Sequence, residues 1–187
     1  MGRMMTAEEF ESEAMPHLDD LYRMACRLTA DRGEAEDMVQ EVYLQAWKSF
    51  AKYEPGTNCR AWLYKILFHK LAHHRRRKYA RWKWLREGDE GVAEGVAYEP
   101  PVNPNLTDGE VLSALARVPA RYREIVLLAD VEEFSYREIA GVLRIPPGTV
   151  MSRLSRGRKR LREMLAGVAR DYGIRSTGQA RELLERA

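Results

Sequence analysis

Apolar residues recur at three- and four-residue steps in one segment after another. Phe10, Ala14, Leu18, Leu21, Ala25 and Leu28 fall on one face of a first helix, and Asp31 and Gly33 break it. A second helix carries Ala35, Met38, Val39, Val42, Tyr43, Ala46, Trp47 and Phe50 on its buried side. The Pro-Gly content of "KYEPGTN" (52–58) marks a loop. Thr57 or Asn58 can cap a third helix with the stripe Trp62, Leu63, Ile66, Leu67 and Leu71, which runs on into a basic stretch. Residues 87–106 are acidic and rich in Gly and Pro, the composition of a linker. After them "TDGE" (107–110) has the form of a capping box, with Thr107 and Glu110 in reciprocal positions. Helices are then expected over 108–117, about 120–131, and 136–143 behind a second box, "SYRE" (135–138). "RIPPGT" makes a turn, and a last helix runs from Pro147 to Leu165. No segment alternates as a strand would. The pattern predicts an all-α chain of two small helical domains, 6–86 and 107–166, joined by an acidic Gly/Pro-rich linker over 87–106 and followed by a polar tail, 167–187.

Composition narrows the classes. The chain is 45% hydrophobic and 32% charged, and no apolar run is long enough for a membrane span. The acidic start lacks an apolar signal core, so a cytoplasmic protein is expected. Cys26 and Cys59 form neither a disulfide framework nor a zinc pattern; Cys26 is expected in the core and Cys59 nearer the surface. His69 and His73 are four apart but have no third ligand or intervening Glu, so no metal is expected. No nucleophile, base and orienter group together, and no phosphate loop is present. The expectation is a protein with no catalytic residues and no cofactor, and therefore not an enzyme.

Charge is more telling. The net charge is only +3, but acidic clusters fill the first forty residues, while cations gather in 70–86 and 153–162. In "HHRRRKYARWKW" (73–84), Arg75, Arg76, Arg77 and Lys78 suit phosphate contacts. The rings of Tyr79, Trp82 and Trp84 offer stacking platforms to unpaired bases, or packing surfaces for protein. On the second helix Asp37, Gln40, Glu41 and Gln45 lie opposite Val39, Val42 and Ala46, with Leu44 near that polar face.

Residues 134–161 have the pattern of a helix-turn-helix. Ile139, Ala140 and Leu143 pack the first helix, Ile145 fills the turn, and Val150, Leu154, Leu161 and Leu165 form the stripe of the second. At about 100° per residue, Thr149, Ser152, Arg153, Arg156 and Lys159 project away from that stripe. With Ser155, Arg158 and Arg160 they form a candidate DNA-reading set.

At this point the chain resembles a family. "EAEDMVQEVYLQAWK" (34–48) is similar to the polymerase-binding helix of bacterial sigma factors, and "GTNCRAWLYKI" (56–66) to their promoter-melting segment. "SYREIAGVLRIPPGTVMSRLSRGRKRLRE" (135–163) resembles their upstream-element reader. With three motifs in this order, the chain resembles the extracytoplasmic-function (ECF) group, and the resemblance covers residues 8–165. The resemblance implies promoter recognition and transcription initiation with core RNA polymerase as partner, met at its largest-subunit clamp helices and its flap region. It assigns Asp37, Gln40, Glu41, Leu44 and Gln45 to polymerase docking. It places Asn58, Arg60, Lys65, His69 and the cations Arg75, Arg76, Arg77 and Lys78 at the melted −10 strand, Asn58 being a helix cap, a base-pocket residue or both. It gives the set on the last helix to the duplex −35 element. It further implies an anti-sigma factor as partner and a stress or envelope response as setting. The competing readings are a stand-alone helix-turn-helix regulator of duplex operators, and a recombinase or nuclease, which would need a catalytic cluster.

Overall fold

The computed structural model describes the backbone of residues 6–29, 31–86 and 106–171, and the side chains of 6–29, 31–80 and 111–166. Among these residues every regular element is helical.

Helix α1 (Ala7–Ala14) opens with a capping box that the sequence reading passes over: the Glu9 amide donates to Thr6 Oγ1 at 3.2 Å, and the Thr6 amide to Glu9 Oε2 at 3.0 Å. The long first helix expected from periodicity is two helices. Pro16 lacks an N–H, and the chain tightens into a 3-10 turn over Met15–His17 before α2 (Leu18–Thr29). Helix α3 (Arg32–Ser49) begins where Asp31 accepts from the Glu34 amide at 2.7 Å, so the residue read as a breaker is also a cap. Helix α4 (Cys59–Arg86) runs through the whole basic stretch, a length of about 42 Å. The side chains of Trp82 and Trp84, the interval 87–105 and the tail beyond 171 lie outside the described residues.

In the second half, α5 (Leu106–Arg117) starts one residue ahead of Thr107. The expected box "TDGE" thus falls inside the helix rather than at its entrance. Helix α6 (Ala120–Val126) widens into a π-type turn over Leu127–Val131. Helix α7 (Tyr136–Leu143) has the expected box, with Ser135 and Glu138 bonded reciprocally at 2.8 and 3.3 Å, and ends at Arg144 in the left-handed region, φ 52°. Helix α8 (Pro147–Asp171) continues past Leu165.

The N-terminal core joins α1–α4 through Phe10, Leu21, Met24, Val42, Phe50, Leu63 and Leu67, all buried. Phe10 meets Phe50 edge-on at 5.0 Å and Trp47 at 5.2 Å. Trp47 nonetheless stays 47% exposed, against its expected place in the core. On α4 the buried stripe is turned relative to expectation: Tyr64 and Phe68 are buried, whereas Trp62 and Ile66 are only partly so. The cause is a second packing partner. Helix α4 also packs against α7, and Tyr64 meets Phe134 edge-on at 5.0 Å. The C-terminal core holds Ile125, Leu128, Ile139, Val142, Val150 and Leu154. Here α8 crosses α6 at Gly157, where an added Cβ would lie 2.7 Å from Val126 Cγ2.

The two cysteines exchange their expected places: Cys26 is partly exposed and Cys59 is buried. Cys59 is the first residue of α4, and α1 packs against that helix. Burial, and then the nearby Glu13, raise its thiol pKa to about 11. At pH 8 this leaves about 100-fold less thiolate than a thiol near 9 would have. Iodoacetamide at pH 8, followed by peptide mass mapping, is expected to label Cys59 in the native protein at least ~10-fold more slowly than in urea. Equal rates would place the thiol at the surface. The raised pKa also fixes a sign. Stability from the neutral thiol is present below pH 9 and is lost as pH rises from about 9 towards 11.

Candidate functional site

Helix α3 buries Ala35, Met38, Val39, Val42 and Ala46, and what remains faces water. Asp37, Gln40, Glu41, Leu44 and Gln45 are all exposed, Leu44 at 55%. The half-exposed Trp47 lies one turn beyond Leu44 and extends this apolar, acidic face. The sequence reading missed it because its ring meets both the core and solvent. Its i+3 spacing from Leu44 is the signal that could have found it.

Asp37, Glu41 and Gln45 also form one wall of an open groove of about 1100 Å³. The other wall is α4, with Lys65, His69, Lys70, His73, Arg77 and Lys78. Three of the five docking candidates and four of the eight strand candidates therefore share one cleft. Two pairs cross it: Lys70 Nζ lies 3.1 Å from Glu41 Oε2, and Lys78 Nζ 2.5 Å from Glu34 Oε1. Both are surface pairs, so they hold the walls only loosely. Among the described residues, no group of three or more His, Cys, Asp or Glu could hold a metal ion.

At the entrance of α4, Asn58 has two partners. Its Oδ1 accepts from the Ala61 amide at 2.9 Å, which caps the helix, and its Nδ2 donates to Glu138 Oε1 of α7 at 2.5 Å. Together with the bonds from Ser135, this contact holds the Glu138 carboxyl below the usual carboxylate range. Arg60 donates through Nη1 to the Glu132 carbonyl at 2.8 Å and through Nη2 to its carboxylate. Tyr64 donates its hydroxyl to the same carboxylate at 2.6 Å, and Arg27 approaches it at 3.4 Å. Burial first, and then this bond, push the Tyr64 hydroxyl pKa up. Further along, Arg75 pairs with Glu124 of α6, while Arg76 and Arg77 remain exposed. The strand candidates thus divide. Lys65, His69, Arg76, Arg77 and Lys78 face outward, and Asn58, Arg60 and Arg75 are engaged by the C-terminal half. No sequence rule pairs residues 72 positions apart, so Glu132 and Glu138 went unnoticed as their partners.

On α8, Ser152, Ser155, Arg156 and Lys159 are exposed, and Thr149 and Arg153 are half-buried. Two further cations of the candidate set, both exposed, make contacts within the domain. Arg158 Nε donates to Asp130 Oδ2 at 3.1 Å, and the guanidinium of Arg160 lies 5.4 Å from the Tyr122 ring centre. Arg156 remains exposed on the open side, and its positive charge is the main cause of the lowered pKa of the Tyr122 hydroxyl.

Comparison with known proteins matches this layout. Residues 14–81 match the model of sigma-70 region 2, and residues 108–161 that of sigma-70, region 4. The ECF RNA polymerase sigma factor SigW of Bacillus subtilis is 30% identical over 156 residues, covering 79% of this chain and 83% of that protein. The chain belongs to the ECF sigma factors. The ECF sigma factor SigE of Mycolicibacterium smegmatis is 37% identical over 154 residues, 80% of this chain, although the match spans only 59% of that relative's length. The solved sigma factor RpoE of Bartonella quintana, in complex with the anti-sigma factor NepR, superposes with a TM-score of 0.70 at 31% identity, covering 86% of this chain and 98% of that one. In this sigma factor the region 2 match ends within the basic stretch of α4, and the region 4 match contains the helix-turn-helix of α7 and α8. Among the described residues, no helix is long and apolar enough to cross a membrane.

Proposed function

We propose that this ECF sigma factor docks on core RNA polymerase through the exposed face of α3, reads the −35 duplex with α8, and captures the melted −10 strand along α4. Its working units are 6–86 and 107–166, with 87–106 as the connection. The reading is carried by one juxtaposition: an acidic, partly apolar face and a cationic wall bordering a single groove. Asp37, Glu41, Gln40 and Gln45 steer and orient docking on a basic partner surface, and Leu44 anchors it. Arg76, Arg77 and Lys78 hold phosphates and carry no sequence information. Asn58 offers a base edge the donor of its amide, while its oxygen keeps the cap. Thr149, Ser152, Ser155, Arg153, Arg156 and Lys159 face the major groove. Polymerase carries out the chemistry in the cytoplasm. Captured bases favour opening because the single strand is stabilised relative to the duplex. The anti-sigma partner of the solved relative supports the same class of inhibitor for this chain.

The test is transcription in vitro with bacterial core polymerase on a promoter library. Discrete start sites that require the sigma factor are expected; their absence would refute the reading. Asn58→Ala refines the test. It is expected to cost about 1–3 kcal/mol of discrimination at one −10 base, on premelted as well as duplex templates, when holoenzyme binding is measured base by base. Asn58→Asp keeps the cap and loses the donor. If it preserves the base preference, the amide is a cap only.

A further inference from the structure

The buried carboxylate of this molecule serves the wrong domain. Glu132 belongs to the C-terminal half, yet it is only 5% exposed because the N-terminal half covers it. It is the one buried charged residue among the described side chains. Its ligands are Arg27 of α2 and Arg60 and Tyr64 of α4. Two residues on, the Phe134 ring lies 4.5 Å from the Arg60 guanidinium and 5.0 Å edge-on to Tyr64. Glu133 between them takes φ 56°, the left-handed turn that lets Glu132 and Phe134 both reach across. An anion with a flat ring beside it is what a nucleotide presents to a cation and an aromatic side chain. Arg60 Nε makes no hydrogen bond in this closed arrangement and lies 3.8 Å from Asp20 Oδ2, a second carboxylate drawn to the same guanidinium.

We propose that the Glu132–Phe134 turn plugs a single-strand binding site formed by Arg27, Arg60 and Tyr64, standing in for the phosphate and base of a melted strand and latching the two DNA-reading halves together. The proposal rests on the reading of Asn58 and Arg60 as −10 strand contacts. Geometry requires the latch to open. Elements at −35 and −10 lie about 25 base pairs apart, roughly 85 Å along duplex DNA. Here Asn58 bonds to α7, which packs on α8, so the two reading faces sit within about two helix diameters, ~25 Å. The closed molecule therefore cannot hold both elements. The chemistry also suits release: a buried ion pair is close to break-even against hydration of its parts, so Glu132 and Arg60 can part without a large penalty.

The experiment uses the full chain without polymerase. Small-angle X-ray scattering gives its radius of gyration, and anisotropy with a fluorescent single-stranded 16-mer pool of random sequence gives strand affinity. Glu132→Gln keeps the volume and removes the charge. It is expected to raise the radius of gyration by several ångströms and to tighten strand binding about 10-fold, because only the open fraction binds. Arg60→Ala added to it should abolish the gain. Glu138→Gln, which preserves the α7 capping box, should move both readings the same way by less, and circular dichroism should show unchanged helicity in both variants. An unchanged radius of gyration in both variants overturns the latch and leaves the −10 reading standing. A larger radius without tighter strand binding overturns the plug. The −10 reading fails separately, in the Asn58 holoenzyme assay.

Discussion

Asp37→Arg is expected to leave the fold intact and to remove association with core RNA polymerase, a loss of at least ~100-fold. Asp37 is exposed on α3 and makes no hydrogen bond on which the helix depends, so the substitution should not disturb folding. At the interface it acts twice: an attraction is lost, and a repulsion is placed against a basic partner. Co-elution of the variant with core polymerase in size-exclusion chromatography is the measurement. Undiminished co-elution would move docking away from this face. Leu44→Ala should weaken docking by a smaller factor, since truncating an apolar contact adds no repulsion.

The second large effect belongs to α8. Arg156→Ala is expected to cost about 1–3 kcal/mol at a single −35 position, with other positions unchanged. Arg156 is exposed on α8, so its guanidinium can reach a base edge in the major groove. Electrophoretic shift of holoenzyme on promoters with each −35 base varied in turn gives the answer. Equal weakening at every position, with a shallower salt dependence, would make Arg156 a phosphate contact instead. Arg158→Ala is the contrast. Its guanidinium already serves Asp130, so its removal should change stability more than base preference.

What could be read without coordinates follows from how local each feature is. Helix periodicity located α3, α7 and most of α4, and the box at Ser135 was legible because its partner is three residues away. Pro16 was present in the sequence, but the apolar steps on either side of it continued in phase and masked the break. Cys59 was placed near the surface because it adjoins a loop; α1 packing against α4 cannot be read from that neighbourhood. Trp62 and Ile66 looked like core because they keep step with Leu63 and Leu67, and Tyr64 did not. The rotation of that stripe reflects the second domain, and a single helix's pattern cannot show which of two apolar flanks another domain covers. The exposure of the residues proposed for docking on α3 was legible by contrast, because everything opposite them is apolar. Glu132 carried no local sign at all. An acidic residue in a turn is ordinary until two arginines from the other half close on it.

Gly157 has a consequence for how this reader can change. The contact with Val126 fixes the height and tilt of α8 on its support, so a side chain at 157 would have to push the whole helix outward. Ser152, Ser155, Arg156 and Lys159 stand on the other side, in solvent. Mounting and lettering are therefore separate. If α8 reads the −35 element as proposed, substitutions among those four residues respell the promoter this protein accepts while the helix keeps its seat, and new regulons are reachable one surface residue at a time.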